Sequence, residues 1–587
     1  EIAHEALIDG WGTLRRWLER AHETRAIRER LEAAAREWNR LARDDDALWN
    51  AEQLADVVLL DPESLEPEHR AFLAASRARR RRRVLTRVAL LAAAPLCALL
   101  VLIGLRLQLQ RDLARRVDDH VARASAFEQQ AQRLRGDVER ARHGAFAEFD
   151  LMEPERGEAL WDEASALSRA LDETLRESGK ALEAALSLDS QHPVVRELLA
   201  EHYYARAELA DARHDEAEAR ALVERSELYD RDGARARRWR APATVTITSD
   251  PPGAAVTLAA YETDEFGRMS LAPPRALGTT PIESLEIYPG SFVLMFRARG
   301  RVEVRHALAL TRGETRTIET RVPAEGEVPE GFVFIPRGRF LTGSSSDDDL
   351  RRAFFAAAPL HPVETPAYLI ARHETTYAEW IEFLDELSPQ ERELRIPQVE
   401  GSSFNKGVNL TPAARGEWRL VLSSTSQANA ASKGEDFEYT AREYMRAQDW
   451  SAFPVSGVSY EDAVAYAAWL DRVGKVPGAR LCSGLEWERA GRGADARRYP
   501  HGDRLDPDDG NIDETYGKRL ATMGPDEVGL HPRVQSPYGL EDMAGNVWEW
   551  TTSSRRRGEV AVRGGGFFHD RLAARLANLT ILDPQLR

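Results

Sequence analysis

The chain concentrates its chemistry near its C-terminal end. Ser536-Pro537-Tyr538-Gly539-Leu540-Glu541-Asp542-Met543-Ala544-Gly545-Asn546-Val547-Trp548-Glu549-Trp550 interleaves small, aromatic and oxygen-bearing residues, and Arg563-Gly564-Gly565-Gly566-Phe567-Phe568 follows. A tight irregular run of this kind lets backbone carbonyls and acids converge on a hard cation. Thiol chemistry has little to draw on. The chain has 2 cysteines, Cys97 and Cys482, far apart in sequence, so a disulfide framework is excluded. His569 and His501 offer imidazoles, but nothing in their spacing brings them together. Trp487, Trp548 and Trp550 present flat faces that suit either a sugar platform or a core. No Gly-x-x-x-x-Gly-Lys-Ser/Thr loop occurs, so a nucleotide phosphate is not cradled in that way.

These blocks, with Gly331-Phe332-Val333-Phe334-Ile335-Pro336, His361-Pro362-Val363, Glu374-Thr375-Thr376-Tyr377, Pro454-Val455-Ser456-Gly457, Arg480-Leu481, Glu486-Trp487-Glu488 and Tyr499-Pro500-His501-Gly502-Asp503, resemble the formylglycine-generating enzyme (sulfatase-modifying factor) family. The resemblance implies a loop-rich α+β domain related to C-type lectins over residues 331–587. It also implies oxygen activation at a copper(I) ion held by two cysteine thiolates, ligands whose softness oxygen donors do not replace. The first of those cysteines should fall at Phe568 or His569 and the second within Leu572–Arg575, and none of these is cysteine. Copper is therefore not expected, and no catalytic residue carries over. Ergothioneine-type sulfoxide synthases share the fold but need an iron site on a His-rich helical domain, and no such cluster is visible. The family's structural calcium sites map onto Asn511, Ile512, Asp526 and Val528, and onto Asp542, Gly545, Val547 and Glu549. Asp542 stands where asparagine is usual. Calcium is the expected cofactor.

The remaining elements must carry this domain. A chain of 587 residues with formal net charge −16 is too long for one core, and its acidity argues against a nucleic-acid partner. Residues 1–75 read as amphipathic helices, with Ala6, Leu7, Ile8, Trp11, Leu14, Trp17 and Leu18, then Ile27, Leu31, Ala34, Trp38 and Leu41, at helical spacing. This stub resembles the winged-helix-like tail of bacterial STAND-type signalling NTPases, and His4 reads as a packed core histidine. Val88 to Leu105 is uncharged and long enough, at about 27 Å, to cross a bilayer. The expected transmembrane helix covers residues 84–106. The arginines from Arg77 to Arg87 outweigh those after Leu105, which puts residues 1–87 in the cytoplasm and 106–587 in the periplasm or beyond.

Residues 107–235 are rich in helix formers and predict a helical stalk. Within it, the stretch from Lys180 to Pro193 resembles a tetratricopeptide-type turn, with Leu198, Leu199, Tyr203 and Ala207 facing inward. After Pro242 the pattern alternates with period two and is broken by Pro-Gly turns, predicting a small β-sandwich over residues 243–323. Ser249-Asp250-Pro251-Pro252-Gly253-Ala254 gives it a resemblance to PEGA modules. Residues 391–450 read as an extended loop insertion. The fold class expected is multidomain: helical N-terminal stub, one transmembrane helix, TPR-like helical stalk, small β-sandwich and C-terminal α+β domain. We expect a fragment of a larger bacterial protein, a membrane-anchored signalling or defence receptor whose last domain binds a protein, peptide or glycan. The alternatives are an oxidoreductase of the same family with altered metal ligands, and a structural envelope protein.

Overall fold

The computed structural model describes residues 12–345, 348–399, 407–413, 417–423, 428–553 and 558–587. His4, Ala6, Leu7, Ile8 and Trp11 lie outside them. The chain forms two compact units, Glu1–Asp118 and Asp119–Arg587.

In the first unit, helix α1 (Gly12–Arg40) is followed by α2 (Ala51–Asp56) and by the start of α3 (Pro67–Asp150). Asn50 and Gln53 exchange hydrogen bonds as a capping box that opens α2. The core joins Ile27, Leu31, Ala35 and Trp38 to Leu54, Val57, Phe72 and Leu73. Trp38 meets the Phe72 ring edge-on at 5.6 Å. The buried stripe ends at Trp38, because α1 stops at Arg40; Leu41 is exposed, as are Trp17 and Leu18. Helix α3 runs 84 residues without a break through Pro95, so the expected stub, span and start of the stalk share one helix. Its apolar window has a mean hydropathy of 2.7 and none of it is buried, leaving Leu90, Leu91, Leu96 and Leu102 exposed.

The second unit starts with the rest of α3 packed on α4 (Pro154–Leu188). Ala124, Ala131, Val138 and Ala145 are buried at seven-residue intervals, and Gly157, Ala164, Leu171, Ser178 and Ala185 repeat that interval on α4. A seven-residue stripe on both partners is the seam of an antiparallel coiled coil. Helix α5 (Pro193–Ala212) opens on Pro193 with the His192 imidazole accepting from the Val195 amide, and buries Leu199, Tyr203 and Ala207, while Leu198 sits half-buried. Helices α6 (Glu216–Glu227) and α7 (Ala234–Trp239) complete the bundle.

Strands β1 (Ala243–Asp250), β2 (Ala255–Thr263), β3 (Met269–Leu271), β4 (Arg275–Thr279), β5 (Ile282–Ile287), β6 (Gly290–Arg297), β7 (Val304–Leu310) and β8 (Thr315–Arg321) follow. They form a sheet of order β5-β1-β8 and a second of order β3-β2-β6-β7, with β4 also on β2. Alternate residues Val245, Ile247, Val256, Leu294, Phe296 and Ile318 fill the space between the sheets.

The C-terminal domain pairs β9 (Phe332–Ile335) with β12 (Tyr368–Ala371), and β10 (Gly338–Thr342) with β11 (His361–Thr365). Helix α8 (Tyr377–Glu386) starts at a Thr376/Glu379 capping box, and α9 (Pro389–Arg395) follows. The stretch expected to be a loop insertion holds an antiparallel sheet of β13 (Val408–Pro412), β14 (Trp418–Ser423) and β15 (Ala428–Ser432). Its reason is visible in the alternation Trp418-Leu420: both side chains are buried, beside Leu410 and Ala431, against Trp450 and Phe437. Short strands β16 (Phe437–Glu438) and β17 (Ala447–Gln448) pair with each other. Helices α10 (Tyr460–Arg472) and α11 (Gly484–Arg492) start at Ser459 and Ser483 capping boxes. Strands β18 (Glu549–Trp550), β19 (Val560–Arg563) and β20 (Thr580–Leu582) form the last sheet.

The modules of this unit are packed together. His361 stacks on Phe146 of α3 at 4.5 Å and its Nε2 lies 3.0 Å from Asp150, while Arg351 pairs with Glu158 of α4 at 2.6 Å. Arg268 of the β-sandwich donates to both Asp506 and Asp509.

Candidate functional site

Helix α11, the strand ends of β12 and β18, and the sheet β13–β15 enclose a groove of about 720 Å³. Trp487 on α11 is fully buried beneath it and donates its indole N–H to Glu549 Oε1 at 2.8 Å. Trp548 and Trp550 remain partly open to the groove, with the Trp550 indole donating to the Val458 carbonyl at 3.0 Å. Trp487 thus both belongs to the core and lines the cavity, together with Trp548 and Trp550.

The floor is acidic. Glu374, at the end of the turn after β12, is buried, and neither carboxylate oxygen has a hydrogen-bond partner of normal geometry. Burial first, then the charges of Asp542 and Glu549, hold its pKa well above the carboxylate range. Burial likewise raises Asp542 to about 6, against a hydrogen bond from the Gly529 amide at 2.5 Å. It raises Glu549 to about 7, with Asp542 adding to the effect and the Trp487 N–H opposing it. Asp542 and Asn546 both adopt left-handed backbone, at φ 56° and 58°. At Gly545, φ is 107° and an added Cβ would lie 2.5 Å from the Asn511 carbonyl oxygen, so only glycine lets the two loops touch. Asp542, Gly545, Val547 and Glu549 thus share one loop, and Val547 lines the groove beside Glu549. Three carboxylates with carbonyls between them suit a hard divalent ion. Among the described residues no three His, Cys, Asp or Glu side chains are placed to hold an ion by themselves, so backbone oxygens are needed.

The other expected group lies in different surroundings. Asp526 is fully buried and its charge is met by the Arg442 guanidinium at 2.6 Å. His531 Nε2 stands 3.1 Å from the same carboxylate, while its Nδ1 faces the Asp508 carbonyl at 3.2 Å. Two acceptors on one ring assign the imidazolium form. Burial opposes charge on both residues, yet their mutual hydrogen bond and attraction leave Asp526 below and His531 above the ordinary values. The Asn511 amide donates to the Gly524 carbonyl and to Asn546 Oδ1. Ile512 is buried in a small apolar cluster, and the Val528 amide donates to the Ala452 carbonyl at 3.0 Å.

Rings stand at the first expected thiol position, and Leu572, Ala573, Ala574 and Arg575 span the second. Phe568 packs on His569 at 4.1 Å, and Trp548 donates its indole N–H to His569 Nδ1 at 3.2 Å. His501 is buried elsewhere, 3.4 Å from Asp509. Burial pushes the Cys482 thiol up to about 12, with Glu549 and Glu486 reinforcing the effect, so this groove-lining cysteine is held protonated. Cys97 belongs to the other unit. This donor set does not fit copper(I).

Two residues central to this geometry were not assigned from sequence. Glu374 belongs to a recognisable block, Glu374-Thr375-Thr376, whose capping threonine was legible while the inward turn of its acid was not. Arg442 lies in the insertion, where no pattern marks it.

Comparison with known proteins adds the lineage. Residues 319–585 match the sulfatase-modifying factor enzyme 1-like domain, and residues 1–46 match Novel STAND NTPase 1. The formylglycine-generating enzyme of Mycobacterium tuberculosis is 30% identical over 241 residues, 38% of this chain and 73% of that protein. Hercynine oxygenase from the same organism is 35% identical over 204 residues, 34% of this chain and 40% of that protein. The inactive C-alpha-formylglycine-generating enzyme 2 of Mus musculus is 30% identical over 238 residues, 38% of this chain and 68% of that protein. The chain belongs, through its C-terminal domain, to the formylglycine-generating enzyme (sulfatase-modifying factor) family.

Proposed function

We propose that this chain is a membrane-tethered oxidoreductase of the formylglycine-generating type, taking an extended peptide or small thiol substrate in the groove and using metal ligands other than a thiolate pair. The observation that carries this reading is the groove itself, with a buried carboxylate at its floor that makes no hydrogen bond of normal geometry and tryptophans on its walls. Two of the relatives above bear the names of enzymes, one of them an oxygenase, which favours this reading over the signalling receptor that composition and topology suggest. Two-thiolate copper chemistry is left out of it, because Phe568 and His569 supply no thiolate.

Calcium is the structural ion of this reading, held by Asp542, Glu549 and the Gly545 and Val547 carbonyls, with Glu374 behind them. Bound there, it would neutralise the floor and fix the left-handed loop. The chain's own groups do the rest. Trp487 orients Glu549, and Trp548 and Trp550 shape the cavity that excludes water from the substrate. The exposed apolar stretch of α3 is the membrane anchor, with residues 1–87 cytoplasmic and 106–587 outside. The β-sandwich, PEGA-like in its turns, acts with the TPR-like stalk as a spacer.

The test is oxygen consumption by the full chain in detergent with cysteine-containing peptides and small thiols, across added iron, manganese and copper. Turnover that Trp550→Ala abolishes supports the enzyme. Saturable, calcium-dependent binding of the peptides without turnover supports the second reading, a binding head, which the rings at the first expected thiol position favour.

A further inference from the structure

The group around Asp526 carries a cation of its own. Arg442, delivered by the turn between β16 and β17, is buried with its guanidinium carbon 3.5 Å from the Tyr439 ring centre and 3.8 Å from that of Tyr516. Its Nε donates to the Thr522 carbonyl at 2.8 Å, one terminal nitrogen to Asp526 Oδ1 at 2.6 Å, and the other to the Gly524 carbonyl at 2.9 Å. Three oxygens of one short loop, from residues 522, 524 and 526, thus converge on a positive centre sandwiched between two aromatic faces, an arrangement that holds a guanidinium strongly.

The carboxylate is also saturated. Asp526 Oδ1 accepts from Arg442 and from Gln448 at 3.0 Å, and Oδ2 accepts from Tyr516 at 2.8 Å and faces His531 at 3.1 Å. Four neighbours use the four lone-pair directions that an ionised carboxylate offers. A divalent ion bound to this carboxylate would have to displace at least one of those neighbours. It would also stand within a few ångströms of a fixed positive charge in surroundings that screen poorly. Asn511, the other side chain expected at this site, donates its Nδ2 to the Gly524 carbonyl and to Asn546 Oδ1.

We propose that Arg442 replaces the first calcium ion of this fold: the insertion supplies a tethered cation, so the Asn511–Asp526 group takes no divalent ion. Any calcium bound by the domain is then held at Asp542 and Glu549, and only that last clause rests on the function proposed above.

Calcium bound to the chelator-treated full chain in detergent is counted by equilibrium dialysis at millimolar calcium. D526N should leave the number of ions unchanged, and R442M, which keeps an apolar stem between the two tyrosines, should raise it by one. Crystals of the unaltered chain soaked in terbium should show no anomalous peak at Asp526. An ion lost in D526N, no ion gained by folded R442M, or a terbium peak at Asp526 would each overturn the proposal. Should R442M fail to fold, D526N and the terbium soak decide it. E549Q reports separately on the other group: loss of an ion there supports the calcium reading, and its failure leaves the Arg442 result standing.

Discussion

Replacing Glu549 by glutamine should change the sign of its effect with calcium, and the structure sets the scale. Glu549 is raised from 4.5 to about 7 by burial and by Asp542. One pKa unit is worth about 1.4 kcal/mol, so an ionised Glu549 costs up to about 3 kcal/mol at pH 8 when no ion offsets it. The groove admits some water to this residue, which trims the figure to about 1–3 kcal/mol. Because the folded state binds its proton more tightly than the unfolded state, this stability is present in full below the ordinary carboxylate pKa. It is lost as pH climbs through the folded value, over a window from about 4.5 to about 7. Glutamine removes the charge and keeps an oxygen for the Trp487 indole.

In chelator at pH 8, Glu549→Gln should therefore be more stable than the unaltered chain by about 1–3 kcal/mol, with a flatter pH dependence. In calcium the order should reverse. An ion at a hundredfold excess over its Kd adds about 2.7 kcal/mol to the unaltered protein and little to a variant that has lost a ligand. Amide hydrogen exchange across residues 540–566 reads the local stability, since a multidomain chain does not unfold in one step. Lower protection of the variant in chelator at pH 8, or equal protection of both proteins by calcium, refutes the reasoning.

The other expectations are more local. Gly545→Ala drives a Cβ to 2.5 Å from the Asn511 carbonyl at a positive φ, and should cost about 2–4 kcal/mol in local exchange protection whether or not calcium is present. Glu488→Gln leaves Arg492 and Arg563, at 2.9 and 3.1 Å, without their buried counter-charge and should cost about 3–5 kcal/mol, read as a fall in the melting temperature of the C-terminal domain. Leu171→Ala removes a side chain from the seven-residue seam and should cost about 2–4 kcal/mol, seen as faster exchange in both α3 and α4. Reporter fusions before Arg77 and after Arg240 should report opposite sides of a membrane; the same side from both removes the anchor.

The sequence disclosed what depends on period and on local capping. Thr376, Ser459 and Ser483 each stand three residues before an acid, and each opens a helix through a reciprocal cap. The alternation after Pro242 became two packed sheets because its apolar residues are spaced by two. The seven-residue spacing from Ala124 to Ala145 was equally legible, and it was masked by a composition so rich in alanine and arginine that the stripe is made mostly of alanines. What sequence does not disclose is convergence between distant segments. Glu374 meets Asp542 and Glu549 from well over a hundred positions away, and Arg442 reaches Asp526 from a stretch read as loop. Neither encounter leaves a local pattern, because each depends on which face a turn presents once the sheets have closed.

The buried charges of the domain also explain how it keeps its shape without a thiolate pair. The irregular C-terminal half has few strands, and buried ion pairs and hydrogen bonds tie its loops together. Glu488 accepts from Thr342 and the Gly343 amide and pairs with Arg492 and Arg563. Arg489 binds the Thr365 hydroxyl and the Pro336 carbonyl. Asp526 gathers Arg442, Gln448, Tyr516 and His531. The partners of these groups do not include Phe568 or His569, so the frame does not depend on a thiolate at that position. By contrast, burial raises the acids Glu374, Asp542 and Glu549, with Asp542 and Glu549 adding to the effect on Glu374 and Asp542 to that on Glu549. On the calcium reading proposed above, the charge left among these three acids is what a cation from outside the chain would offset.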